Sequence, residues 1–166
     1  MKLFAIYIGG EHPKANIEVH DVRFAVAASI TDTYDKLRAE WWGKAGSLHI
    51  DCWTEISHVE GFVVTLEPVP SSVPERLYFV NLGGYDGLEF AEQHLNRFVV
   101  ATSTAKAKAK AMSATKGWND AHRDDLYEAD HVFALDAMIG ERLFIHLTPT
   151  GEHRPPNFTC RYTPLT

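Results

Sequence analysis

The chain has 166 residues, a formal net charge of −6 at pH 7, 45% hydrophobic residues and 23% charged residues. This length suits one ordinary domain or two small ones, and the composition is that of a soluble globular protein. The negative charge argues against nucleic acids and anionic membranes as partners, and no apolar run approaches the roughly 20 residues that span a bilayer. The two cysteines, Cys52 and Cys160, lack CxxC spacing. They fit a reducing cytoplasm and predict neither a disulfide framework nor a zinc knuckle.

The first half of the chain is predicted to begin with two strands and a helix. Apolar runs at 3–8 and 22–27 predict the strands, and a glycine pair after the first run indicates a tight turn. A helix capped by Ser29 or Thr31 follows, because the spacing of its apolar residues forms one stripe. These residues are Ile30, Tyr34, Leu37 and Trp41.

Two further strands complete the first half. The segment 48–56 alternates, with one predicted face of Leu48, Ile50, Cys52, Thr54 and Ile56 and another of His49, Asp51, Trp53 and Glu55. A strand at 61–67 ends before Pro68. The segment 69–75 is rich in proline and serine and is expected to be a linker.

The second half repeats the first when the sequence is shifted by 74 positions. Identical pairs include Leu3/Leu77, Gly9/Gly83, Gly10/Gly84, Glu18/Glu92, His20/His94, Arg23/Arg97, Phe24/Phe98, Ser29/Ser103 and Asp51/Asp125. A fixed-period repeat predicts a repeated supersecondary unit. Strands are therefore expected at 77–82 and 97–101, with a helix over 104–116 that is capped by Ser103 or Thr104.

Two features of the second half have no counterpart in the first. The segment 143–147 matches 62–66 only at a shift of 81, which predicts an insertion near 130–141. A final strand at 158–162 is expected to close the edge of a sheet.

These elements predict an α+β fold of two tandem ββαββ units packed with pseudo-twofold symmetry. The units span 1–68 and 76–166 and are joined by the linker. The element order is that of a β-grasp (ubiquitin-like) roll, with a ferredoxin-like unit as the alternative.

Several long segments resemble the bacterial "domain of unknown function 1543" family. They are KLFA at 2–5, IGGEHPKANIEVHD at 8–21, LHID at 48–51 and YFVNLGGY at 78–85. The resemblance implies a small bacterial protein with one or two copies of a short unit. It implies no activity and transfers no site residue.

The glycine pairs and the residues after them are the first candidate site. Backbone amides at glycines bind anions and cationic side chains clamp them, which suggests a small-molecule site in the cleft between the units. Its residues are Gly9, Gly10, His20, Arg23, Gly83, Gly84, His94 and Arg97. A structural role for these shared residues, in tight turns and at the edge of the core, is the favoured interpretation.

A metal site is the second candidate. His49 and Asp51 are two apart on a strand and share a face, as metal ligands or an acid–base pair would. A further group, His122, Asp124 and Asp125, crowds nitrogen and oxygen ligands together. The alternatives are an ion pair at the first place and a solvated acidic loop at the second.

The aromatic residues Trp53 and Tyr127 are predicted to lie on the polar face of their strands, where a large apolar side chain needs another surface packed over it. The other repeat is the favoured packing surface, a second subunit of a homodimer is the next, and a bound ligand is the third.

The leading functional hypothesis is a cytoplasmic, non-enzymatic module that binds a small molecule or a protein partner. The rival is a metal-assisted or acid–base enzyme that uses the His/Asp clusters. The sequence identifies neither a cofactor nor a reaction.

Overall fold

The structure is a computed structural model that describes residues 1–85, 88, 90–113, 119–122, 132–139 and 142–165, with the backbone alone at 119–122, 133 and 138. Asp124, Asp125, Tyr127 and the predicted helix end at 114–116 lie outside these ranges.

The described part of the chain is an α+β structure of antiparallel sheets and two short helices. The strands are β1 (Lys2–Gly10), β2 (Val19–Ala27), β3 (His49–Glu55), β4 (His58–Val59), β5 (Phe62–Glu67), β6 (Arg76–Tyr85), β7 (Gln93–Ala101), β8 (Asn119–His122), β9 (Val132–Ala134), β10 (Phe144–Pro149) and β11 (Thr159–Pro164). The helices are α1 (Tyr34–Glu40) and α2 (Thr104–Met112), and 3₁₀ turns span Thr31–Thr33 and Leu135–Met138.

The described strands form three sheets. The first sheet has the order β11-β3-β1-β2, and the second has β6 in the middle with β7 on one side and β8 and β9 on the other. The third sheet has the order β10-β5-β4. This pairing differs from two self-contained four-stranded units, because β5 of the first half pairs with β10 of the second. The final strand closes a sheet edge as predicted, and that edge belongs to β3 in the first half.

The first and second sheets pack face to face through a shared apolar cluster. Leu3 and Ala5 on one face of β1 belong to the same buried cluster as Leu77 and Phe79 of β6. Phe24 of β2 meets Phe79 edge to face, with ring centroids 5.3 Å apart.

Each helix covers the outer side of one sheet. The predicted stripe of the first helix packs on Ile6 and Ile8, which occupy the opposite face of β1 from Leu3. The second helix buries Ala107 and Ala111 against its sheet, and the Ser103 side chain caps it by accepting a 3.3 Å bond from the amide of Lys106. No helix in the described part of the chain has the length and apolar character that crossing a bilayer requires.

The glycine pairs lie inside strands rather than in turns, so the predicted turns are wrong. Gly9 and Gly10 end β1, and Gly83 and Gly84 lie within β6. Among the described glycines, a positive φ occurs at Gly46, Gly61 and Gly151. Any residue can adopt the φ angle of a strand, so backbone conformation does not explain why glycine occupies these positions. The absence of a side chain is the remaining property of glycine that can explain it.

The two cysteines form a disulfide, which the sequence analysis did not predict. Cys52 and Cys160 are register partners in β3 and β11, and their sulfur atoms are bonded. The residues are 108 positions apart in sequence. Their adjacency arises only because the final strand returns to the first sheet, and no local pattern reveals that return.

Candidate metal centre

Two histidines meet over a glycine where β2, β1 and β3 lie side by side. Gly9 of β1 is the register partner of both His20 in β2 and His49 in β3. A Cβ atom at Gly9 would lie 2.7 Å from Nε2 of His49 and 2.8 Å from Cδ2 of His20. Those separations are shorter than any normal carbon contact. Gly9 therefore provides the space in which the two imidazole rings approach each other.

A β-bulge brings Asp51 to the same place. The register of β1 and β3 shifts between Tyr7 and Ile8, and Asp51 is the extra residue on β3. Bulges re-aim side chains and interrupt strict alternation. The alternation predicted for 48–56 is therefore wrong beyond Asp51. Trp53 instead packs on the α1 side of the sheet, with the buried cluster that contains Ile6 and Ile8. Its ring meets that of Phe4 edge to face, with the ring centroids 5.8 Å apart.

Four side chains converge at this point. Nε2 of His49 lies 3.0 Å from Oε1 of Glu18 and 3.4 Å from Oδ1 of Asp51. Nε2 of His20 lies 3.7 Å from Oε2 of Glu18 and 3.4 Å from Oδ2 of Asp51. Each carboxylate thus faces both rings, and Glu18, His20 and His49 offer ligand atoms that all lie within 4.8 Å of one another.

The backbone fixes which nitrogen of His49 faces the carboxylates. Nδ1 of His49 lies 3.1 Å from the carbonyl oxygen of Ser47, which can only accept a hydrogen bond, so Nδ1 carries a proton. In the neutral ring, Nε2 then directs a lone pair at Glu18 and Asp51. A lone pair facing carboxylate oxygens is repulsive, so a metal ion held between these three groups would stabilise the arrangement. An N–H bonded to a carbonyl is the usual second contact of a metal-bound histidine.

A carboxylate oxygen in the cluster also lacks a donor. Oδ2 of Asp51 is buried and has no hydrogen-bond partner among the described residues. Buried polar atoms are nearly always hydrogen-bonded, so this atom calls for a cation or a water molecule. The side chain of His49 is only 3% exposed, whereas Glu18 and His20 are open to solvent. The cluster is therefore anchored on the buried side and accessible on the other.

Two tyrosines flank the histidines. The ring of Tyr7 stacks on His20 at 5.4 Å, and the ring of Tyr162 in β11 lies 4.5 Å from that of His49. Burial raises the pKa of the Tyr7 phenol above its usual value of 10.0, and the charges of Asp51 and Asp21 raise it further. Tyr7 therefore senses the negative charge of the cluster.

A largely apolar cavity of about 410 Å³ lies beside the cluster, between the first and second sheets. Tyr7 and the Cys52–Cys160 pair line it from the first sheet, and His94 and Phe98 line it from the second. Of the eight residues predicted to form a cleft site, this cavity is lined by His94. Its walls are mainly aromatic and aliphatic.

The arginines predicted for the cleft lie on the opposite faces of their strands. Arg23 is the register partner of Ile6, which faces α1, and Arg97 is the partner of Val80, which packs with α2. Residues three apart in a strand point to opposite sides, so Arg23 is separated from His20. Arg23 instead pairs with Asp21 at 2.8 Å.

Among the candidate residues of the second half, the structure describes His94 with its side chain and His122 by its backbone alone. His94 lies 3.7 Å from Oε2 of Glu92, and its Nδ1 lies 3.3 Å from Oδ1 of Asn81. The backbone of His122 is the register partner of Gly83. Asp124 and Asp125 lie outside the described residues.

Sequence reasoning placed His20 and His49 in two different candidate sites, and it did not propose Glu18 as a metal ligand. Glu18 and His20 have the same i, i+2 spacing as His49 and Asp51. Two such pairs on strands that flank a glycine strand are the signal that predicts one joint cluster.

The fold and the cluster define an α+β protein with a candidate site of two histidines and two carboxylates. Comparison with known protein families agrees with the resemblance noted in the sequence. Residues 15–66, which include the whole cluster, match the family described as Domain of Unknown Function (DUF1543). The match covers this segment of the chain and does not extend to the second half. The crystal structure of protein Il1583 from Idiomarina loihiensis is similar over 99% of this chain and 98% of that chain, with 29% identity and a TM-score of 0.72. No curated protein matches the chain.

Proposed function

We propose that this protein is a binding module for a divalent transition-metal ion of the zinc class. Glu18, His20 and His49 are the ligands, and Asp51 lies beside both rings. The observation that carries the proposal is the Nε2 atom of buried His49, which faces two carboxylates while its Nδ1 is held by a carbonyl. Imidazole and carboxylate ligands in this combination are typical of zinc and of non-haem iron sites.

The distances between the donor atoms fit one bound ion. Metal–ligand bonds of 2.0–2.2 Å at tetrahedral angles place neighbouring donor atoms about 3.3–3.6 Å apart. The distances from the two carboxylate oxygens of Glu18 to Nε2 of His49 and Nε2 of His20 are 3.0 and 3.7 Å, and the three ligand atoms all lie within 4.8 Å of one another. Side-chain adjustments would bring the three ligands onto one ion.

A metal-assisted enzyme is the second candidate function. Three protein ligands leave a coordination position open, as in catalytic zinc sites, and Glu18 and His20 are exposed. The adjoining cavity offers room for a small apolar molecule next to Tyr7. Zinc-dependent hydrolysis of p-nitrophenyl acetate that is lost in His49→Ala would favour this candidate over a pure binding module.

We further infer that the chain consists of two tandem units, 1–68 and 76–166, related by a pseudo-twofold axis. The register of the first hairpin supports this, because Lys2↔Ala27 becomes Arg76↔Ala101 when 74 is added to each number. A protein partner and a homodimer stay predictions. The cytoplasmic location also stays a prediction, and the disulfide counts against it because persistent disulfides are rare in that compartment.

Isothermal titration of the metal-free protein with zinc chloride tests the metal site. We expect saturable binding, and a zinc concentration of 100 times Kd should stabilise the fold by about 2.7 kcal/mol. His20→Ala and His49→Ala should each weaken binding at this site at least tenfold. His58→Ala is the matched control, because His58 is half-buried and bonds Ser57 outside the cluster. Zinc binding that is absent, or equal in all four proteins, would refute the proposal.

A further inference from the structure

We propose that the cavity between the first and second sheets binds a neutral, two-ring aromatic compound that carries a carbonyl group. Such a site goes beyond the proposed metal centre, and binding there does not require a bound ion. The size of the cavity, the charge of its lining and the hydrogen-bond donors that its lining offers together define this class of ligand.

The cavity has the size of a site for a small organic molecule. Its volume of about 410 Å³ lies within the range of roughly 300–1,000 Å³ that is usual for ligand sites. An apolar cavity of about 150 Å³ holds one benzene molecule, so this one has room for two fused rings and a small substituent. Phe158 lines the cavity and is 55% exposed, so a molecule from solvent can reach it.

Aromatic rings form much of the cavity wall. Phe79 and Phe98 are register partners in β6 and β7, and their ring centroids lie 5.7 Å apart with the planes inclined by 50°. Tyr7 lines the cavity from β1, and Phe158 lines it from the segment before β11. Aromatic pairs are stabilised in offset-stacked and edge-to-face arrangements, with centroids about 4.5–7 Å apart. A flat aromatic ligand can make such contacts with several of these rings.

The lining favours an uncharged ligand. None of the described residues that line the cavity is an aspartate, a glutamate, a lysine or an arginine. His94 is the one lining residue among them that can carry a positive charge, and its Nε2 lies 3.7 Å from Oε2 of Glu92. An ion that leaves water without a partner of opposite charge costs far more free energy than a neutral polar group does. A neutral molecule is therefore the better fit.

A chain of hydrogen bonds on the second sheet determines what Asn96 can offer to a ligand. Nδ1 of His94 lies 3.3 Å from Oδ1 of Asn81, and Nδ2 of Asn81 donates a 2.7 Å bond to Oδ1 of Asn96. The amide oxygen of Asn96 thus already accepts a bond. Its Nδ2 group remains able to donate one to a ligand.

Tyr7 supplies a second donor. The raised pKa of its phenol keeps the hydroxyl protonated at neutral pH, so it can donate a hydrogen bond. Thr54 also lines the cavity, but its hydroxyl donates a 3.0 Å bond to the carbonyl oxygen of Asn157. A ligand that meets the donors of Tyr7 and Asn96 needs an acceptor, and a carbonyl is a neutral group that accepts without donating.

Titration of the nitrogen-15-labelled protein with 2-acetylnaphthalene, followed by NMR in the presence of EDTA, tests the proposal. We expect saturable binding, with nuclear Overhauser contacts between naphthyl protons and the rings of Tyr7, Phe79 and Phe98. Asn96→Trp should fill the cavity and abolish binding. Arg97→Trp is the matched control, because Arg97 is exposed on the opposite face of β7, and it should leave binding unchanged.

Tyr7→Phe tests the carbonyl. The variant lacks the hydroxyl donor and should weaken the binding of 2-acetylnaphthalene about threefold to tenfold. It should change the affinity for 2-isopropenylnaphthalene, in which a methylene replaces the carbonyl oxygen, by less than about twofold. Equal effects on the two compounds would overturn the carbonyl assignment.

The remaining outcomes decide the location and the charge. Absence of saturable binding by the wild type would overturn the inference, and so would binding that Asn96→Trp leaves unchanged. If Asn96→Trp does not fold, Overhauser contacts confined to residues outside the cavity would overturn it instead. Tighter binding of 2-naphthoate or of 1-(2-naphthyl)ethylammonium than of the ketone would contradict the neutral class. Because EDTA removes bound metal, these results do not depend on the proposed metal centre.

Discussion

The ring of Tyr7 lies nearly parallel to the imidazole of His20, with the planes inclined by 13° and the centroids 5.4 Å apart. Tyr7 also lines the cavity between the sheets. One side chain thus contacts both the proposed metal ligand and the space where a small molecule would bind, and it reports on each.

The phenol of Tyr7 should titrate above its usual pH. Burial is the main cause of its raised pKa, and the charges of Asp51 and Asp21 add to it. The folded state therefore holds this proton more tightly than the unfolded state. Its contribution to stability is complete below pH 10 and is lost as the pH rises through the folded-state value. We expect Tyr7→Phe to reduce the loss of stability between neutral and strongly alkaline pH.

Carbon-13 NMR of labelled tyrosine, with Tyr7→Phe as the assignment control, measures this pKa. Asp51→Asn should lower it, and bound zinc should lower it further because a cation favours the phenolate. A Tyr7 pKa that is unchanged by zinc at saturating concentration would place the ion elsewhere.

Gly9→Ala should damage the metal site through crowding. The new Cβ would meet His49, His20 and Asp51, which have to move. We expect zinc affinity to fall about tenfold or more and stability to fall by about 1–3 kcal/mol.

Gly43→Ala is the matched control for that variant. Its Cβ would collide with the indole ring of Trp41 and with the carbonyl oxygen of Glu11, both outside the cluster. Stability should fall by a similar amount, about 1–3 kcal/mol, with little change in zinc affinity. Equal losses of affinity in the two glycine variants would show that the effect is general destabilisation.

Reduction of the disulfide should destabilise the protein. The bond joins residues 108 positions apart, and closing a loop of that length stabilises a fold by up to about 5 kcal/mol. Dithiothreitol should therefore lower the urea midpoint of the wild type. The midpoint of Cys52→Ser/Cys160→Ser should be low with or without the reductant. If the urea midpoint of the wild type is the same with and without dithiothreitol, the disulfide does not form.

Glu60 should contribute to the contact between the two halves. Its carboxylate accepts a 2.7 Å bond from the amide of Val100 and a 2.6 Å bond from Nζ of Lys110. Glu60→Ala leaves the amide without this acceptor, which should cost about 1–3 kcal/mol. Lys110→Ala removes a partly exposed ion pair and a 3.2 Å bond to the carbonyl oxygen of Val100, and it should cost about 1 kcal/mol or less. Chemical denaturation of both variants measures the difference, and equal costs would contradict this role.

Much of the secondary structure could be predicted, because apolar periodicity is local. The predicted strands at 3–8 and 22–27 and the helix after Ser103 all correspond to observed elements. The two-residue strand His58–Val59 has no periodicity to detect. The pairing of β5 with β10 depends on how distant strands meet, and local patterns carry no record of that.

The candidate site was predicted in pieces. His20, His49 and Asp51 were each selected as chemically capable residues, but their convergence depends on the order β2-β1-β3 and on a bulge at Asp51. A bulge changes the face of a side chain without changing the composition of the strand. The prediction that His20 and Arg23 act together is wrong, because successive side chains of a strand alternate between its two faces. Residues three positions apart therefore point to opposite faces.

The most direct test of the metal centre is an anomalous-difference map from crystals grown with zinc and measured at the zinc absorption edge. We predict a peak about 2.0–2.2 Å from Nε2 of His20, Nε2 of His49 and a carboxylate oxygen of Glu18. An occupied zinc position elsewhere on the protein, with no peak between these three residues, would contradict the account.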